Sequence, residues 1–64
     1  MTQKELSYVE DAVEHESNII KIINESVNYL EDEKLVTFMN NELTVHENMK
    51  EKLLNLLEAK TNEW

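Results

Sequence analysis

The chain has no cysteine, no glycine and no proline, and its six basic residues are all lysine. Without cysteine there is no disulfide framework, no zinc–thiolate centre and no thiol chemistry. Without glycine, nothing suits a tight positive-φ turn or a loop whose backbone amides cradle a phosphate. Without proline, no residue forces a helix to end. Such a composition fits long helices with a minimal connection. Long apolar runs are missing too, and none approaches the roughly 20 residues that span a bilayer. Met1-Thr2-Gln3-Lys4-Glu5 leads into a charged amphipathic stretch, so no apolar leader is expected. The expectation is a cytoplasmic chain without a membrane partner.

Sixty-four residues make one small domain, and the formal charge is −8. Eight acids and two lysines lie in residues 1–32, six acids and four lysines in residues 33–64. An acidic chain repels phosphate backbones, which argues against a nucleic-acid partner. A chain this short buries only about 60% of its unfolded surface, so a solitary hairpin is marginal. With no staple available, self-association is the expected source of stability.

What the sequence does contain is helical spacing. Leu6, Val9, Val13, Glu16, Ile20, Ile23, Val27 and Leu30 recur at steps of three and four, the mark of one helical face. Thr2 and Glu5 have the spacing of a capping box, which starts this helix near residue 3. Continuing the same steps past Leu30 lands on polar residues, whereas the apolar pattern resumes at Leu35. The shift coincides with Glu31-Asp32-Glu33-Lys34, where Asp32 is a good N-cap. The reading is an antiparallel hairpin: helix from about 3 to 30, turn at 31–33, helix from about 33 to 60.

The second helix has a buried stripe four rows wide. Leu35, Glu42, Met49 and Leu56 form one central row; Met39, His46 and Leu53 form the other. Phe38 and Val45 flank one side, Val36, Leu43 and Leu57 the other, and Trp64 continues that outer row. Four rows need more than one partner, so the expected fold is all-α, a hairpin dimerising into a four-helix bundle. Val13, Ile20, Ile23, Met39, Met49 and Leu53 are the expected dimer core, in a homodimer or a larger self-assembly.

Three polar residues sit in that stripe: Glu16, Glu42 and His46. Unpaired ionised groups in a core are costly, so each needs a role. One reading is a polar cluster that fixes register and partner number. Another is a metal site for iron or manganese, since a dimer would assemble four glutamates and two histidines. A third is a loose bundle end where the groups reach water. The usual di-metal motif is Glu-x-x-His, whereas Glu42 and His46 are one residue further apart and Leu43 holds the carboxylate's place. A hairpin closing at Leu30 and Leu35 would also set Glu16 level with Met49. On that register Glu16 and His46 stand apart within one chain. His15, one turn from Asp11, reads as a surface ion pair. Ser7, Ser17 and Ser26 have no histidine–acid arrangement around them, so no nucleophile is expected.

Glu5-Leu6-Ser7-Tyr8-Val9-Glu10-Asp11-Ala12-Val13-Glu14-His15-Glu16 resembles the opening helix of the spore coat protein F-like family, within the ferritin-like bundles. Asp32-Glu33-Lys34-Leu35 resembles its turn, and His46 with Leu53 its second helix, over most of residues 5–57. Where that family carries a second histidine, this chain has Met49. The resemblance implies a spore-associated, coat-like assembly protein without established catalysis, with itself and other coat-like proteins as partners. Glu42-Leu43 also matches the centre of a motif in small aspartyl-phosphate phosphatase hairpins, but Thr44 replaces the acid that closes it. The expectation is therefore a non-catalytic structural protein with no cofactor. Its alternative is a ferritin-like metal binder using Glu16, Glu42 and His46 with iron or manganese.

Overall fold

The Thr2 side chain accepts a hydrogen bond from the Glu5 amide at 3.1 Å, and the Thr2 amide donates to Glu5 Oε1 at 2.8 Å. This reciprocal box satisfies two amides that a helix start leaves without partners. It opens α1, Gln3–Val27. The structure, a computed structural model, describes residues 1–61, with side chains through Ala59, so Trp64 lies outside the described residues.

α1 ends three residues before the point to which its apolar pattern extends. Asn28 turns its side-chain amide back to the Asn24 carbonyl at 3.2 Å, and the Tyr29 and Leu30 amides donate three residues back, to Ser26 and Val27. Asparagine competes with the helix for backbone partners in this way, which favours termination. No described residue has a positive φ, so the chain turns without a left-handed cap. Asp32 then accepts from the Lys34 and Leu35 amides at 2.8 and 3.2 Å and opens α2, Glu33–Thr61, as an N-cap should. Helix start, break and restart follow local chemistry.

The described residues contain two packed helices and no strand. The molecule measures 49 × 15 × 12 Å between Cα atoms, a narrow ribbon one layer deep. From α1, Leu6, Val9, Val13, Glu16, Ile20 and Ile23 line the seam. α2 supplies Val36, Met39, Leu43, His46, Leu53 and Leu57. Ile23, 5% exposed, is the one buried apolar residue among those described, and Glu16, 8% exposed, is its polar counterpart.

Two sequence expectations change here. The row Leu35, Met49, Leu56 was expected at the centre of the stripe, but these side chains are exposed. The row Val36, Leu43, Leu57 takes the seam instead, and Lys50 joins it half-buried. The register also differs. A connection of five residues, 28–32, replaces the shorter turn, and Glu16 comes opposite His46 rather than Met49.

Candidate functional site

Glu16 lies near the middle of α1 and His46 near the middle of α2, on the faces the two helices turn to each other. His46 Nδ1 and Glu16 Oε2 are 2.6 Å apart, a short charge-assisted hydrogen bond. With Glu16 ionised, Nδ1 carries the proton and donates it. One turn earlier on α2, Glu42 Oε2 stands 3.7 Å from His46 Nε2. That distance is too long for a direct hydrogen bond but close enough for attraction to an imidazolium. The expectation that Glu16 and His46 stand apart within one hairpin is thus corrected. The longer connection moves the helices past each other until the two side chains meet.

The arrangement explains how Glu16 is tolerated inside. A buried carboxylate without a partner would cost several kcal/mol, on the order of 3–5. Here an imidazole N–H answers it, and no buried side-chain nitrogen or oxygen among the described residues lacks a partner. The three residues form a linear series, carboxylate to imidazole to carboxylate.

That linearity bears on metal chemistry. The two carboxylates address different ring nitrogens, so within one chain they do not converge on a common point. No group of three or more histidine, aspartate or glutamate side chains among the described residues is arranged to hold an ion. In a single chain, His46 Nε2 and the Glu42 carboxylate are the two groups left to reach outward.

Acid–base or nucleophilic work needs a cleft and an attacking group. The Ser17 hydroxyl donates to the Val13 carbonyl at 3.0 Å and is committed to its own helix. A shallow depression lined by Asp11, Glu14, His15 and Asn18 lies along the outer surface of α1, and a second, between Met1, Glu5, Tyr8, Val9 and Leu56, lies at the open end of the hairpin. Neither includes Glu16, Glu42 or His46. His15 is exposed, and the expected ion pair with Asp11 is not formed among the described residues.

The six expected dimer-core residues divide. Ile23 is buried by its own hairpin; Val13, Ile20, Met39 and Leu53 are half-buried in the seam; Met49 stands out, 44% exposed. Exposed beside it are Phe38, Val45 and Leu56, with Tyr8 and Ile22 on α1. Lys52, also on that side of α2, was missed in the sequence. Its signal was available: it continues the spacing of Phe38, Val45 and Met49. No family model, curated protein or solved structure matches the chain significantly.

Proposed function

We propose that this chain is a non-catalytic, self-assembling helical protein whose hairpin pairs with a second copy into a four-helix bundle and serves a structural or protein-interaction role. One observation carries the reading: a hairpin that buries a single apolar side chain among the described residues leaves Phe38 58% and Tyr8 61% exposed, with Ile22, Val45, Met49 and Leu56 also exposed. Apolar surface in that quantity is stabilised by a partner. The Glu16–His46 pair supports the same reading, since a satisfied polar contact in a thin seam selects one register over its neighbours. A spore-coat setting is supported only by the resemblance of residues 5–57.

Sedimentation equilibrium tests this directly. The expected mass is twice the 7.6 kDa of one chain or a larger multiple. A particle that stays at 7.6 kDa across the accessible concentrations would refute the proposal. Ferrous or manganous ions added to the same protein should leave its melting temperature unchanged. A rise would favour the metal-binding alternative, because a ligand that binds only the folded state stabilises it.

A further inference from the structure

The residues one position before the α2 seam residues repeat the seam's spacing: Leu35, Phe38, Glu42, Val45, Met49, Lys52 and Leu56. One residue is about 100° of helix rotation, so this row is turned away from α1. The same offset on α1 gives Glu5, Tyr8, Ala12, His15, Ile19 and Ile22. The helices are antiparallel, so equal offsets turn both rows to one side of the ribbon, and Tyr8 and Leu56 do line one groove. One side of the hairpin is thus mainly apolar, with Glu42 and Lys52 of α2 and Glu5 and His15 of α1 set into it. Its total exposed area is 5095 Å². A compact monomer of this mass exposes about 4300 Å². The excess, roughly 800 Å², is that of a thin ribbon that does not cover its own outer rows.

Charge then selects the geometry. We infer that two copies meet through this face of α2, antiparallel, with Glu42 of each copy against the partner's Lys52. This rests on the self-assembly reading and adds an orientation and a register to it. About a point between Val45 and Met49 the row is self-complementary. Phe38 meets the partner's Leu56, Val45 meets the partner's Met49, and the only two charges in the row meet each other. Sliding one helix by a heptad sets Glu42 against the partner's Val45, or Lys52 against the partner's Met49. A parallel arrangement opposes like charges. A twofold axis running along the helices would pair α2 with α1, placing Glu42 near the partner's Ile22 and Lys52 near the partner's Ala12. Each alternative leaves Glu42 or Lys52 in the interface without an opposite charge from the partner, which weakens association. Within its own chain Lys52 makes no ion pair among the described residues, so it is available to a second copy.

Reversing one charge tests the assignment. Lys52→Glu should raise the dimer dissociation constant about 100-fold by sedimentation, because two attractions become two repulsions. Its far-UV circular dichroism should stay helical, since Lys52 faces away from α1. An equimolar mixture of Glu42→Lys and Lys52→Glu chains should dimerise to within about tenfold of the wild type, with opposite charges restored at both contacts. The chain has no cysteine, so Val45→Cys and Met49→Cys chains, mixed and oxidised, should give mainly the mixed disulfide. A Lys52→Glu chain that associates as tightly as the wild type would overturn the register while leaving self-assembly standing. So would a dominant disulfide between two Val45→Cys chains. A monomeric wild type would overturn both.

Discussion

The two largely apolar faces of α2 each carry ionisable residues, and they handle them differently. On the seam, His46 meets Glu16 from α1 at 2.6 Å, and the pair closes within one chain. On the open face, Lys52 meets no carboxylate of its own chain among those described, and Glu42 is half-exposed, 3.7 Å from the histidine ring. One polar contact is completed by folding back; the other is left to an encounter. A charge in an apolar row is therefore informative chiefly through where its counter-charge can come from.

The contrast between the faces is most exposed to test at the seam. His46→Ala strands the Glu16 carboxylate in a nearly closed site, and urea unfolding should show a loss of about 3 kcal/mol. Replacing both, Glu16→Leu with His46→Leu, should recover the wild-type midpoint or exceed it, because a buried ion pair is often no better than well-packed apolar residues. If the single and double variants unfold alike, the pair has no such role. The open face should respond differently. Val45→Ser should weaken association about tenfold through lost apolar burial, with the helix content of the dissociated chain unchanged. A loss of helix in that variant would place Val45 in the hairpin's own core.

The smallest effect belongs to the first turn of α1, where Glu5 borders the end groove lined by Tyr8 and Leu56. The Thr2 amide, and secondarily the Thr2 hydroxyl, hold the Glu5 carboxyl below its ordinary value. A carboxylate whose folded value is depressed stabilises the fold above its unfolded value, near 4.3 in general, and that contribution is lost as pH falls through the folded value. Below about pH 4 the Thr2 and Glu5 amide resonances should therefore move as the capping box opens. The box is exposed, so the change should be slight and confined to the first turn.

Much of the architecture was legible from local patterns. The capping box at Thr2 and Glu5 and the N-cap at Asp32 are short-range chemistry, and the structure places both where the spacing indicated. The phase shift between Leu30 and Leu35 marked the break for the same reason. Register was not legible, because it depends on where α1 stops, and that is decided by the Asn28 side-chain amide reaching back to Asn24. Nor could hydropathy say which rows of α2 would face α1. The row of Leu43 and Leu57 and the row of Leu35, Met49 and Leu56 are almost equally apolar. The trio of Glu16, Glu42 and His46 was visible as an anomaly, but its linear order needed coordinates.

The bend between the helices contains no residue in a region of backbone space closed to ordinary L-amino acids. Nothing about the main chain compels the polypeptide to double back; two polar side chains, the amide of Asn28 and the carboxylate of Asp32, issue the instruction. Punctuation written in side chains alone can be edited without remaking the backbone. An uninterrupted rod of about 90 Å is thus open to this backbone, and what the hairpin holds against it is the packed seam, closed by Glu16 and His46, together with those side-chain hydrogen bonds.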